Sequence, residues 1–230
     1  MEVPRQDIGG GELLPPRRLM IRELQVPGKQ NFWLIKRAFD LCASLLGLII
    51  LSPLFLLIML LIVIDDPKAG PFYSQLRCGR GGRIFRMYKF RTMKKDSDKM
   101  LNDLLAQNEM RGPAFKIKDD PRITRFGRVL RKISLDELPQ LVNIVRGEMS
   151  FVGPRPPLPR EVDMYDEYQF QRLYVTPGLT CLWQIAPHRN ELSFDKWLEM
   201  DIDYVIRRSV SLDVRILLAT AIAVFRRYGE

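Results

Sequence analysis

From Leu41 to Ile64 the chain runs for 24 residues without a charged side chain. As one helix that run would be roughly 36 Å long, enough to cross a bilayer core of about 30 Å. Seventeen of the 24 are Leu, Ile, Val or Phe, and each favours mid-membrane insertion by about 0.3–0.6 kcal/mol. The run therefore enters a membrane. It begins far from residue 1 and ends at Asp65-Asp66 with no small-residue cleavage site, which excludes a signal peptide.

Ser52-Pro53 stands at the middle of the run. Pro53 has no N–H for the carbonyl of Ile49 and clashes with it, so the helix kinks or breaks there. The Ser52 hydroxyl can satisfy the carbonyl of Ile49 or Leu48. A kinked spanning helix and a re-entrant helix–break–helix both accommodate these two residues. Flanking charge favours the re-entrant form. Lys29, Lys36 and Arg37 precede the run; Arg77, Arg80, Arg83, Arg86, Lys89, Arg91, Lys94 and Lys95 follow it, with no acid between positions 77 and 95. Both flanks ask for the cytoplasmic side, and no second hydrophobic segment brings the chain back.

The 230 residues carry 36 Lys and Arg against 27 Asp and Glu, a net charge of +9, with 47% apolar residues. That composition excludes a disordered tail and a polytopic membrane protein, and the charge asks for acidic partners. Cys42, Cys78 and Cys181 form no C-x-x-C pair, and His188 is the single histidine. Disulfide frameworks, zinc ribbons and histidine-pair chemistry are thereby excluded, leaving carboxylates for acid–base or nucleophilic work.

The expected fold class is α+β, mainly helical with a small β-hairpin, plus the re-entrant membrane helix and interfacial amphipathic helices. Residues 1–30, rich in Gly and Pro, read as a flexible extension; 31–66 as the membrane helix–break–helix; 67–230 as a cytoplasmic catalytic domain at the membrane surface. Strands are expected at Phe72–Leu76 and Ile84–Met93, joined across Gly79-Arg80-Gly81-Gly82. Helices are expected at Asp96–Met110 and Leu135–Val145. Val152–Pro159, with prolines at 154, 156, 157 and 159, reads as an extended polyproline-like loop. Leu212–Phe225 is apolar and too short to span; an interfacial helix between arginine pairs and a core helix fit it equally.

Asp136-Glu137 is the chemical candidate. Ser134-x-x-Glu137 before an apolar run also matches a capping box, in which acids simply favour a first helical turn. Pro139 argues against that reading, because it would fall where the helix needs an N–H. A cap at Asp136 or a bend would resolve the conflict. Arg122, Arg125, Arg128, Arg131 and Lys132 precede the pair, and Arg155 follows in the proline loop. Prolines around Arg155 lower the entropy cost of holding its guanidinium on a phosphate. Adjacent carboxylates among cations suit a metal–diphosphate site, one acid binding Mg²⁺ and the other attacking phosphorus.

Several blocks together resemble the bacterial sugar transferases, the monotopic phosphoglycosyl transferases, in their small form with a single catalytic domain. They are Lys36-Arg37-Ala38-Phe39-Asp40 leading into the Ser52-Pro53 run, Lys89-Phe90-Arg91-Thr92-Met93, and Thr124 to Arg131 through Ser134 to Leu141. Gly147 to Pro156 follows, then Pro177-Gly178-Leu179-Thr180 with Trp183-Gln184, continuing to Asp201 and Tyr204. The likeness covers roughly residues 31 to 228 in order.

The resemblance implies a re-entrant helix broken at Ser52 and Pro53, and a catalytic face on the cytoplasmic side of the inner membrane. It implies a UDP-sugar donor, a polyprenol phosphate acceptor, Mg²⁺ as cofactor and membrane lipid as surroundings; nucleic acid is not an expected partner, and a homodimer stays open. By family motif Asp136 is the nucleophile and Glu137 the Mg²⁺ ligand. A phosphosugar–Asp136 intermediate would form with release of UMP and pass to the lipid, initiating glycoconjugate or polysaccharide assembly. Pro154, Arg155 and Pro156 belong to the loop near the nucleotide. Lys89, Arg91 and Arg131 match basic positions to which a phosphate-binding role is given on physical grounds. Gln184, Arg189 and Asn190 complete the expected substrate contacts. Cys181 stands where the family shows Gly, and Ile185 to Asn190 holds an extra residue; His188 there reads as a surface residue. The alternative is a membrane-anchored basic module that binds anionic lipid or nucleic acid without catalysis, but nothing in it asks for Asp136-Glu137.

Overall fold

The computed structural model describes residues 30–68, 70–95, 97, 120–187 and 192–225. Residues 1–29 of the extension expected over 1–30, all but Ser97 of the helix expected at Asp96–Met110, and His188, Arg189 and Asn190 lie outside the described residues. What is described is mainly helical with two small two-stranded sheets.

Two helices carry the uncharged run: α1 (Gln30–Ile50) and α2 (Ser52–Asp65), bent by 61° where they meet. Pro53 opens α2, and the Ser52 hydroxyl donates to the Ile49 carbonyl at 2.8 Å, replacing the N–H that proline lacks. No single helix among the described residues is long and apolar enough to cross a membrane; only the bent pair together reaches that length and composition. Leu34, Ile35, Phe39, Leu46, Ile49 and Ile50 on α1, and Leu56, Leu57, Leu60 and Ile64 on α2, are exposed. An apolar surface of that extent marks a partner or a membrane.

The opposite faces of the pair pack on the remainder of the chain. Strands β1 (Phe72–Cys78) and β2 (Ile84–Phe90) form an antiparallel hairpin with Phe72 opposite Phe90 and Cys78 opposite Ile84. β1 thus runs two residues beyond the expected Leu76, and β2 stops at Phe90, with Met93 reached only as an isolated bridge to Ile123. Beyond Phe90 the backbone instead pairs with the segment before α3 (Arg125–Lys132): Lys94 N–H donates to Arg122 and Thr124 N–H to Thr92. A Cβ on Gly127 would meet the Thr92 carbonyl at 2.3 Å, so this crossing requires glycine. Ile58 and Ile62 of α2 pack with Phe90 and Leu130, and Leu135 and Leu138 join the same cluster.

The helix expected at Leu135–Val145 is two elements. Leu135–Glu137 is a 3₁₀ turn, and α4 begins only at Gln140 and ends at Arg146. Pro139 lacks the N–H that a continuous helix would need, so it stands at the N-cap of α4 instead. Ser134 does not cap the turn: its backbone is left-handed, at φ 57°, and its side chain makes no capping bond. The capping-box reading fails on that geometry. α4 docks on β2 through Asn143, which is fully buried and donates to the Arg86 carbonyl while accepting from the Tyr88 N–H.

β3 (Ser150–Val152) and β4 (Gly178–Thr180) form a short parallel pair. Between them, after the extended segment 153–158, lie α5 (Pro159–Val162) and α6 (Glu167–Phe170). α7 (Phe194–Arg207) and α8 (Val210–Phe225) close the described chain. α8 packs one face into the core, as the core-helix reading expects, and leaves the other exposed. Ile216 is buried with Val152, Val175, Tyr204 and Val205, while Val214, Leu218 and Ile222 are exposed.

Candidate active site

Asp136 and Glu137 sit in the 3₁₀ turn between α3 and α4, over the apolar cluster shared with α2. The left-handed Ser134 sets the direction in which the turn leaves α3; among described residues it alone combines a side chain with positive φ. A non-glycine residue held there costs about 1–2 kcal/mol, the kind of local strain found at functional sites.

Lys89 arrives from β2. Its ammonium donates to Glu137 Oε1 at 2.6 Å and lies 3.5 Å from Asp136 Oδ2. Arg155 Nη1 approaches Glu137 Oε1 at 3.7 Å from the proline loop. The two carboxyls are pushed apart in acidity. Burial raises Asp136, with Glu137 adding to the rise and Lys89 opposing it. Burial acts in the same direction on Glu137, but Lys89 and then Arg155 outweigh it and hold that carboxyl down at about 2. One carboxylate is thus fixed as an anion while its buried neighbour, only 7% exposed, is the more basic of the two. Such splitting of paired acids is the arrangement that gives them different roles.

Arg131 projects from the last turn of α3, donates to the Thr92 hydroxyl at 2.9 Å, and feels the charge of Asp136. Arg91 turns elsewhere: its guanidinium donates to the carbonyls of Gly70 and Phe72 and buttresses the base of the hairpin. Gln184 lies in a 3₁₀ turn, Trp183–Ile185, accepting from the Cys181 thiol at 3.3 Å. Cys181 is buried, which pushes its thiol well above the usual range.

Four consecutive carbonyls of the proline loop each accept a hydrogen bond from outside the loop. Pro154 accepts from the Gly178 N–H at 2.9 Å, Arg155 from Arg172 at 3.2 Å, Pro156 from Arg77 at 3.0 Å and Pro157 from the Cys78 N–H at 2.9 Å. Three of those four residues are prolines and can form no ladder of their own. Gly178 makes the first contact possible, since a Cβ there would lie 2.1 Å from the Gly153 nitrogen. Pro154 and Pro156 therefore act through their backbones, leaving the Arg155 side chain aimed at Glu137.

Sequence reasoning gave no site role to Arg77, Arg172 or Asp201. Burial, then repulsion from Arg155, lowers Arg77 to about 10. Arg172 donates to Tyr165, Asp201 and the Arg155 carbonyl. It also did not separate the roles within Lys36-Arg37-Ala38-Phe39-Asp40. Lys36 pairs with Asp213 of α8 at 2.6 Å, Arg37 donates to the Ile144 and Val145 carbonyls at the end of α4, and Asp40 accepts from the Phe151 N–H of β3. The block fastens α1 to the remainder of the chain.

The donor set at the turn suits Mg²⁺, which is commonly held by one or two carboxylates and completes its sphere with phosphate oxygens and water. Glu137, kept anionic, would hold it, with Asp136 beside it. Among the described residues no cluster of three Asp, Glu, His or Cys side chains forms a fuller protein cage.

Residues 31–227 match the family described as bacterial sugar transferase. The chain is 42% identical over 192 residues to galactosyl transferase CpsE of Streptococcus agalactiae, covering 84% of this chain and 42% of that protein. It is 45% identical over 199 residues to the exopolysaccharide production protein ExoY of Sinorhizobium fredii, covering 85% and 87%. It is 40% identical over 205 residues to undecaprenyl-phosphate galactose phosphotransferase of Salmonella typhimurium, covering 87% and 42%. The chain thus spans less than half of CpsE and of the Salmonella protein, and most of ExoY.

Proposed function

The chain belongs to the bacterial sugar transferase family, and from that premise we propose that it is a polyprenol-phosphate phosphoglycosyl transferase that works through a covalent Asp136 intermediate. The observation that carries the reading is the split carboxylate pair: buried Asp136 beside a Glu137 pinned by Lys89 and Arg155.

Asp136 attacks the sugar-linked phosphorus of a UDP-sugar. An Asp–phosphorus bond forms, the diphosphate P–O bond breaks, and UMP leaves with that electron pair. A phosphate oxygen of the polyprenol phosphate then attacks the same phosphorus, displacing the Asp136 carboxylate and yielding polyprenyl-diphosphate-sugar. Lys89 keeps Glu137 ionised and supplies positive charge at the reacting phosphate, as does Arg155 on its braced loop. Mg²⁺, when bound, neutralises charge on the diphosphate. Two separate steps let a water-soluble donor and a lipid acceptor use one site in turn.

Topology belongs to the same proposal. Residues 31–66 form a re-entrant hairpin, 67–230 the catalytic domain on the cytoplasmic face of the inner membrane, and Leu218 and Ile222 of α8 lie in the interface. The bent α1–α2 pair, its apolar outer faces and the positive charge on both flanks support it. A membrane-held acceptor meets such a site at raised effective concentration. Mg²⁺-dependent release of UMP from a UDP-sugar tests the activity: UMP supports phosphosugar transfer, whereas UDP indicates ordinary glycosyl transfer and overturns it.

A further inference from the structure

α2 ends at Asp65, and the segments that meet there border an open cavity of about 500 Å³ lined by Asp65, Asp66, Lys68, Lys94, Lys95 and Arg125. The two carboxylates are occupied by backbone. Asp65 accepts from the Phe126 N–H at 3.1 Å, and Asp66 accepts from the Lys68 and Lys95 N–H groups at 3.2 Å each. They tie the end of α2, the segment after β2 and the start of α3 around one opening. The four cations are exposed, and none forms an ion pair with another described residue. Four positive groups against two negative ones leave the lining with an excess of positive charge.

Position decides what such a lining can bind. Leu60, Val63 and Ile64 are exposed on α2 directly before Asp65, and Val129 and Ile133 are exposed on and just after α3. The cavity therefore opens where apolar surface gives way to charge, the depth of lipid headgroups in the hairpin topology. Among the described residues no aromatic side chain lines it, which gives a nucleobase no stacking surface there. Asp136, Glu137, Lys89 and Arg155 take no part in it. Lysine ammoniums are compact charges suited to a phosphodiester, and basic residues at this depth attract anionic lipid.

We propose that this cavity binds the phosphate of an anionic membrane phospholipid, separate from the site that handles donor and acceptor. The inference rests on the membrane reading of α1 and α2. Occupancy joins α2 to α3 at the surface, above the buried contacts of Ile58 and Ile62 with Leu130 that underlie the turn bearing Asp136.

The test uses the full chain in nanodiscs of mixed phosphatidylglycerol and phosphatidylcholine, with retained lipids counted by native mass spectrometry. Phosphatidylglycerol should be enriched on the protein. Lys94→Gln with Lys95→Gln should reduce that enrichment about 25-fold, near fivefold per lysine, while Lys94→Arg with Lys95→Arg should keep it. Equal enrichment in the Gln pair overturns the site. So does displacement by equimolar inorganic phosphate. Displacement by polyprenol phosphate in preference to phosphatidylglycerol assigns the cavity to the acceptor and also overturns it. Failure of the membrane reading is seen separately, as a chain that leaves phosphatidylcholine discs and phosphatidylglycerol discs alike.

Discussion

Asp201, 1% exposed, receives its hydrogen bond from the same Arg172 amino group that holds the Arg155 carbonyl. A buried ion pair between Asp201 of α7 and Arg172 of the 3₁₀ turn Gln171–Tyr174 thus fixes the backbone from which the site arginine reaches Glu137. Burial raises Asp201 to about 6 even against the charge of Arg172.

Asp201 should therefore make stability depend on pH in a defined direction. Its folded pKa of about 6 lies above the ordinary 3.8, so its contribution is fully present below pH 3.8 and is lost as pH rises through 6. A shift of that size corresponds to about 3 kcal/mol. Asp201→Asn carries no such titration, so across pH 4–7 the thermal midpoint of the native chain should fall relative to that of the variant, by the equivalent of about 3 kcal/mol, as pH rises through 6. Parallel curves over the whole range would contradict the assignment.

Lys89 holds the dyad in its split state, so its loss should affect chemistry more than folding. Lys89→Met should lower kcat/KM for UMP release by about 10²–10³ and raise the acidic limb of the pH–rate profile as Glu137 loses its main partner. Lys89→Arg should recover part of the rate. An unchanged profile in Lys89→Met would show that Glu137 is held down by something else.

Lys36 and Asp213 stand 177 positions apart in sequence yet pair at 2.6 Å between α1 and α8. Removing the ammonium alone, as in Lys36→Met, should cost about 3–5 kcal/mol by leaving the buried Asp213 charge without its cation, with only the Tyr204 hydroxyl donating to it. Lys36→Met with Asp213→Leu should recover most of that in a thermal melt. Additive losses in the double variant would mean that the pair is not coupled.

The bend at Pro53 should govern topology. A Gly10→Cys probe should resist membrane-impermeant reagents added outside sealed cells. Adding Pro53→Leu removes an obstacle of about 3 kcal/mol to a straight helix, and a fraction of the probe should then be labelled from outside. External labelling of the probe with Pro53 intact would sink the hairpin.

Local patterns were readable where the cause is local. Alternation around Gly79 to Gly82 located the hairpin, and Ser52-Pro53 located the bend and the hydroxyl that satisfies Ile49. Pro139 argued against a helix capped at Ser134, although the separate 3₁₀ turn and the left-handed Ser134 were not foreseeable from a side chain that usually caps. Asp201, Arg172 and Arg77 gave no such signal. Arg77 and Arg172 donate to the carbonyls of Pro156 and Arg155, and Asp201 holds Arg172 in place, all across breaks in the sequence that no local pattern bridges. A question was available beforehand: which donors meet the carbonyls of a loop with so few N–H groups of its own? Lys36 and Asp40 were noticed as motif letters, yet only packing shows that they bind α1 to α8 and β3.

The covalent role of Asp136 is tested most directly by intact mass and peptide mapping after mixing the protein with UDP-sugar and Mg²⁺, without any lipid acceptor. The account predicts stoichiometric release of UMP and a mass gain of one phosphosugar on the peptide containing Asp136, absent in Asp136→Asn and discharged on adding polyprenol phosphate. No adduct and no UMP until acceptor is present, followed by full turnover, would contradict it.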